Sequence, residues 1–257
     1  EVVAAGDPDH YQSLAGQIKH LPAMPKPANA AGIDFPLAAL LAFTKVGNAV
    51  TFPEGSMMGY YDDLVKMADS LGMPEDKIKG SQAFADTIAA SILAWSKKDN
   101  YAQTRSATRY TVNTDTGRWV PTPPMYGQGV EPHWAEIRPM VLDSAAMCRA
   151  EMPPLYSMLN KKSTFYQAVM EVKNIGDSLT DEQKHIADFW YDNPFKMNVS
   201  GHVMFATKRF SPPGHWMNIV GIAAKKTGSD FNTTVAAYAK TAITLFDAFI
   251  SCWEGKY

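Results

Sequence analysis

The sequence has little cysteine and almost no net charge. Its 257 residues include two cysteines, Cys148 and Cys252, which are too few for a disulfide framework or a cysteine-ligated metal cluster. The 24 basic and 26 acidic residues are interspersed and give a formal net charge of −2. Without a polybasic stretch, nucleic acid and anionic membrane surfaces are disfavoured as partners. The sequence contains no run of about 18 apolar residues, so no transmembrane segment is predicted.

Familiar catalytic motifs are also missing. There is no Gly-rich phosphate loop and no Gly-x-Ser-x-Gly nucleophile turn. The six histidines form no His-x-x-x-His or carboxylate-spaced set, so we predict no metal-ion site built from protein ligands. Asp62 and Asp63 are neighbours, and on a helix they would point about 100° apart, which favours surface charge over metal binding.

Apolar residues, by contrast, are plentiful and periodic. They make up 46% of the chain, enough for a sizeable core. Steps of three and four predict helices with one buried face, and Trp95 and Trp190 are expected on such faces. The predicted helices cover Phe35–Phe43, Ser56–Leu71, Ser81–Lys98, Ser163–Val172, the residues from Thr180 to a stop at Asp192-Asn193-Pro194, Trp216–Lys226 and Asn232–Trp253.

The stretch from Asn100 to Pro139 breaks this helical pattern. It mixes β-branched, aromatic and turn-forming residues, as in Gly117-Arg118-Trp119-Val120-Pro121-Thr122-Pro123-Pro124. A short hairpin or an extended Pro-rich crossing over helices would fit this composition. The predicted fold is therefore all-α, a multi-helix bundle with long Pro-rich loops and one short hairpin at most, in a single domain over residues 1–257.

The most site-like stretch runs from Leu179 to Gly221. It begins with a capping box, Thr180-x-x-Gln183, and reaches a Pro-Pro-Gly turn followed by His215 and Trp216. A histidine on such a turn could serve as a general acid/base or an anion anchor, but spacing alone favours a structural role that ties loop to helix. Loop arginines beside aromatics offer anion contacts, although stacking or solvation is the default for them: Arg118, Arg138 and Arg209.

Three groups of residues occur in a characteristic order along the chain. The first is Gly117-x-Trp119-x-Pro121-Thr122-Pro123-Pro124, followed by Pro132-x-Trp134 and Arg138-Pro139. The second is Ile186-Ala187-Asp188-Phe189-Trp190, followed by Pro212-Pro213-Gly214-His215-Trp216. The third is Asp247-Ala248-Phe249-Ile250-Ser251-Cys252-Trp253-x-x-Lys256-Tyr257. Together they resemble the vanadium-dependent haloperoxidase-like branch of the type 2 phosphatidic acid phosphatase superfamily.

The resemblance implies an oxyanion site for phosphate or vanadate, in which Lys256 matches the leading lysine of the family's first motif. The family's Arg-Pro, Pro-Ser-Gly-His and final Ser-Arg…His segments have no counterpart here. From the sequence alone, Lys256 could project to the inner side of the bundle, and an ordinary exposed lysine at a helix end is the alternative. His215 and Trp216 are expected to line or brace the mouth of the site.

On this resemblance the chain is expected to be part of a longer enzyme, inactive without its C-terminal catalytic half. Phosphoric monoester hydrolysis is the first expectation for the whole enzyme. Vanadate-dependent halide oxidation by peroxide is the alternative, and a non-catalytic helical binding module is the third. The implied partners are small anions, with vanadate as cofactor, and homodimerisation is left open. Relatives are commonly exported, which implies a periplasmic or cell-envelope location.

Overall fold

The computed structural model describes residues 1–51, 55, 57–123, 125–191, 195–200, 203–208 and 210–257. For the two segments 195–200 and 203–208 it describes the backbone alone. The predicted stop at Asp192-Asn193-Pro194 and the loop residue Arg209 lie outside the described residues, as does the predicted break at Pro53, Glu54 and Ser56.

The N-terminal part packs three helices around one core. After a short helix α1 (Val2–Gly6), α2 spans Phe35–Val50, α3 spans Met58–Ser70 and α4 spans Glu75–Ser96. Asp34 caps α2 by accepting the Leu37 N–H at 3.0 Å, and Pro36 lies in the first turn, where its missing N–H costs nothing. The core between these helices contains Leu37, Ala38, Leu41, Tyr61, Phe84, Ala85 and Ile88.

Small residues bring α4 close to the segment before α2. The Ser81 hydroxyl, fully buried, accepts the Asp34 N–H at 2.8 Å and donates to the Lys77 carbonyl at 2.8 Å. One residue earlier, a Cβ on Gly80 would come far inside 3.0 Å of the Gly32 carbonyl oxygen. Gly80 is therefore required by close backbone approach.

A long connection follows α5 (Tyr101–Ser106). No strand is found among the described residues between 107 and 133, so the extended crossing is confirmed here and the hairpin alternative is wrong at this place. Its prolines and turn residues do not support a strand ladder. Two short 3₁₀ helices, Trp134–Glu136 and Ala145–Cys148, then pack against the last helix of the chain.

The C-terminal part contains the remaining elements: α6 (Thr164–Asp177), α7 (Asp181–Phe189), β1 (Phe195–Ser200), β2 (Val203–Lys208), α8 (Pro212–Thr227) and α9 (Phe231–Lys256). The strands β1 and β2 form an antiparallel hairpin in which Phe195 pairs with Lys208. Gly228, in the left-handed conformation at φ 64°, ends α8, and Asp230 caps α9. The predicted capping box at Thr180 and Gln183 is confirmed.

Burial in the C-terminal part is lower than the sequence predicts. The structure describes no buried residue in α6, α7 or α8. Trp190, predicted to be buried, is 65% exposed. Asp62 and Asp63 are exposed, as predicted.

One described helix, α9, is long and apolar enough to cross a bilayer by length and composition. The core helix of a globular protein meets the same criterion. In this structure α9 packs against α8 and both of the 3₁₀ helices named above.

Candidate oxyanion site at the end of α9

Lys256 is the last residue of α9 and lies exposed. Its Nζ is 4.5 Å from the ring centroid of Trp253 and 5.6 Å from that of Tyr257. Attraction between an exposed ammonium and a ring face contributes about 0.5–1 kcal/mol. Within the described part of the chain Lys256 makes no ion pair with a carboxylate, so its charge is available to an anion. Of the two positions considered from the sequence, the described residues show the exposed lysine at a helix end.

The aromatic residues beside Lys256 are themselves held in place. Trp253 Nε1 and the Tyr257 hydroxyl both donate to the Val130 carbonyl, each at 2.9 Å. Trp253 stacks on Phe249 with a centroid distance of 5.2 Å, and Tyr257 contacts Tyr110 at 5.0 Å. The last turn of α9 is thereby attached to the long extended connection. This attachment fixes the platform on which the Lys256 ammonium rests.

A second contact holds the same turn from another side. Arg149 makes a two-point ion pair with Glu254, with Nε donating to Oε2 at 2.9 Å and a second bond from Nη2 to Oε1. Hydrogen bonding from Arg149 lowers the pKa of Glu254, and the same bond raises the pKa of Arg149. Because this guanidinium is already occupied by a carboxylate, Arg149 is a poor candidate for binding an anion.

The Asp247 carboxylate forms a buried polar cluster in the C-terminal half of α9. Its carboxylate accepts three consecutive backbone N–H groups, from Met140 at 2.6 Å and from Val141 and Leu142 at 2.7 and 2.9 Å. The residue is only 5% exposed. Asp247 belongs to the third segment of the family resemblance, and no role was predicted for it. The available signal was that it is the only acidic residue between Asp230 and Glu254, inside an otherwise apolar helical face.

The 3₁₀ helix at Trp134–Glu136 is held to the start of the long connection through His133. His133 Nδ1 lies 2.6 Å from Glu136 Oε1, and Nε2 lies 2.8 Å from the Thr108 carbonyl oxygen. The hydrogen bond to Glu136 and, to a smaller extent, the hydrogen bond to the Thr108 carbonyl raise the pKa of His133. Both partners are acceptors, so the doubly protonated imidazolium satisfies both at once. Arg138, by contrast, stacks on Trp95 at 4.6 Å, which is the default role predicted for it.

His215 and Trp216 lie near the start of α8. The Pro-Pro-Gly segment is the first turn of α8, not a turn before it, because Ser211 caps the helix and Pro212 suits the first helical position. His215 stacks on Trp190 with a centroid distance of 6.3 Å, and Trp216 is 55% exposed.

The helix that carries His215 and Trp216, α8, packs against α9. Gly221 faces Tyr238, whose hydroxyl would lie 2.6 Å from a Cβ at Gly221. Tyr238 is in the first third of α9, whereas Lys256 is the last residue of that helix. The role of His215 and Trp216 at the mouth of the site stays a prediction.

Vanadate, the cofactor that the resemblance implies, needs several cationic or neutral nitrogen donors around one oxyanion. Lys256 fits one such contact, since its ammonium is exposed and oriented by Trp253. The other donors are not brought to it by the described residues. Nor does the described part of the chain contain a group of three or more His, Cys, Asp or Glu side chains placed to hold a metal ion.

Comparisons with known proteins identify a structural relative. No protein-family model matches the chain, and no curated protein matches it either. Among solved structures, a bacterial vanadium-dependent iodoperoxidase superposes with a TM-score of 0.88 and 40% sequence identity. The match covers 100% of this chain and 60% of the iodoperoxidase chain. The resemblance seen in the sequence is thereby confirmed, and the chain has a vanadium haloperoxidase-like helical fold.

Proposed function

We propose that this chain belongs to an oxyanion-binding enzyme that oxidises halide with peroxide when vanadate is bound, and that Lys256 contacts the oxyanion. The observation that carries the proposal is the 40% identity to a vanadium-dependent iodoperoxidase over the whole chain, including the α9 segment that ends in Lys256. The chain spans 60% of that protein's length, so the remaining donors are proposed to come from residues outside this chain.

Lys256 suits its proposed role chemically. An ammonium group donates charge-assisted hydrogen bonds to oxyanion oxygens, which are shorter and stronger than neutral ones. The ring of Trp253 under the ammonium restricts its positions, so less rotamer freedom is lost when an anion binds. A bound vanadate would supply the activation of peroxide towards halide. The contribution of Lys256 is to hold negative charge on the oxyanion.

Phosphoric monoester hydrolysis is the second candidate, because phosphate and vanadate share charge and shape and the same lysine can bind either. The test is to assay the full natural polypeptide for iodide oxidation with vanadate and peroxide, alongside p-nitrophenyl phosphate hydrolysis. Vanadate-dependent iodide oxidation that is lost in Lys256→Ala supports the proposal. Hydrolysis without iodide oxidation would replace it with the phosphatase assignment, and silence of the folded protein in both assays would favour a non-catalytic module.

Export to the periplasm or cell envelope is part of the same proposal. It rests on the resemblance alone, and fractionation of the producing cells is the direct check.

A further inference from the structure

The buried carboxylate of Asp247 has no direct role in the proposed chemistry. It lies nine residues before Lys256, which corresponds to about 13 Å along the helix. Its three acceptor contacts all go to one short segment, the backbone of residues 140–142. A buried carboxylate is costly unless it is hydrogen-bonded, and here the three N–H groups provide that compensation. These three hydrogen bonds fix the backbone of residues 140–142 against α9.

The Asp247 cluster joins two parts of the chain, α9 and the segment that begins at Met140. On one side, Asp247 shares a face of α9 with Ile250, Ser251 and Glu254, at spacings of three, four and seven residues, and Ile250 and Ser251 are buried. On the other side, the segment from Met140 continues into the 3₁₀ helix at Ala145–Cys148 and reaches Arg149, which pairs with Glu254. The segment therefore contacts α9 at two points that are two helical turns apart.

The 140–142 segment is also fixed from its other side. The Lys19 N–H donates to the Met140 carbonyl at 2.8 Å, and Lys19 Nζ donates to the Asp143 carbonyl at 2.7 Å. A segment anchored by Lys19 on one side and by Asp247 on the other is a rigid support for α9. The final turn of a helix frays most readily, and Lys256 is in that turn.

We propose that Asp247 is a positioning residue for the oxyanion site. By fixing the 140–142 backbone against α9, it holds the last turn of the helix and thus the Lys256 ammonium in the geometry that binds an anion. This inference rests on the proposed function, since it assumes that Lys256 contacts the oxyanion. Residues that orient a ligand-binding side chain without touching the bound group have an effect of this kind, and their mutation typically weakens binding 10–100-fold. We expect Asp247 to act in the same way, although its carboxylate does not contact the anion.

The test compares two carboxylates on the same helix in the full natural polypeptide. Asp247→Asn keeps the shape but replaces one acceptor oxygen with an N–H donor facing backbone N–H groups. The matched control is Asp230→Asn, which alters a carboxylate that accepts the Thr233 N–H at 2.7 Å at the opposite end of α9. The Tm of each variant is measured first. Dissociation constants for vanadate and for inorganic phosphate are then measured by calorimetry at a temperature at which both variants are folded.

We expect both variants to lower Tm, but only Asp247→Asn to weaken vanadate binding, by about tenfold or more. The Asp230→Asn variant should bind within about twofold of wild type. Equal vanadate affinity in folded Asp247→Asn and wild type would overturn the inference. If Asp247→Asn does not fold, Asp247→Glu decides: it keeps the charge but shifts the carboxylate by one methylene, and an unchanged affinity there overturns the inference as well.

Failure of the proposed function looks different in the same experiment. In that case wild type itself binds neither vanadate nor phosphate, or Lys256→Ala binds them as well as wild type does. The inference about Asp247 fails separately when Lys256→Ala loses binding and the Asp247 variants keep it.

Discussion

Gly80→Ala offers a test of the packing between α4 and the segment before α2, because two opposing effects act on one methyl group. Replacing glycine by alanine inside a helix is ordinarily favourable by about 1 kcal/mol. At Gly80 the new Cβ would meet the Gly32 carbonyl oxygen far inside 3.0 Å, and that atom belongs to the backbone and cannot rotate away. Overpacking of this kind costs about 1–3 kcal/mol, and a rigid obstacle places the cost at the upper end.

The expected net result is a loss of about 1–2 kcal/mol in the free energy of unfolding. For a chain of this size that corresponds to a fall in Tm of roughly 2–8 °C. The matched control is Gly176→Ala in α6, where a Cβ would meet no atom within 4 Å. That variant should gain up to about 1 kcal/mol from helix propensity. Both are measured by urea unfolding of the same preparation. A Gly80→Ala protein as stable as Gly176→Ala would refute the close approach.

Two further predictions follow from burial and from hydrogen bonding. Trp95→Ala should lower the free energy of unfolding, measured in urea, by about 3 kcal/mol, since it removes a large side chain whose Nε1 donates to the Lys19 carbonyl at 2.9 Å. Trp190→Ala should lower it by about 1 kcal/mol or less, because Trp190 is exposed. Equal losses in the two variants would contradict the exposed position of Trp190. The raised pKa of His133 should add stability that is complete below its ordinary pKa and is lost as pH rises through its higher folded pKa. In Tm measurements from pH 6 upward, Glu136→Gln should weaken that dependence, and an unchanged pH profile would count against the His133–Glu136 contact.

Local rules of helix formation carried most of the fold prediction. The Thr180–Gln183 capping box depends on residues three positions apart, and it was predicted correctly. The Pro-Pro-Gly segment was misplaced because Pro212 can either break a chain or begin a helix, and only the Ser211 cap decides between these. The hairpin was expected in the long Pro-rich connection and occurs instead at β1 and β2.

Burial and the site geometry were harder to predict, since they depend on contacts distant in sequence. A helical stripe with Phe189 and Trp190 has the periodicity of a core face, yet periodicity does not say which element covers it. Asp247 was left without a role for a related reason. Its partners lie more than a hundred residues away along the chain, in a segment without regular secondary structure. Lys256 came from the family resemblance and not from the physics of its neighbours.

The central claim, that Lys256 contacts an oxyanion, is tested most directly by vanadate binding to the full natural polypeptide. Calorimetric titration of wild type is compared with Lys256→Ala and with Lys226→Ala, which removes an exposed lysine from the last turn of α8. Because a charged hydrogen bond contributes about 1.5–3 kcal/mol, Lys256→Ala should weaken binding by roughly 10–100-fold, and Lys226→Ala should leave it unchanged. Equal affinity in all three proteins would contradict the account.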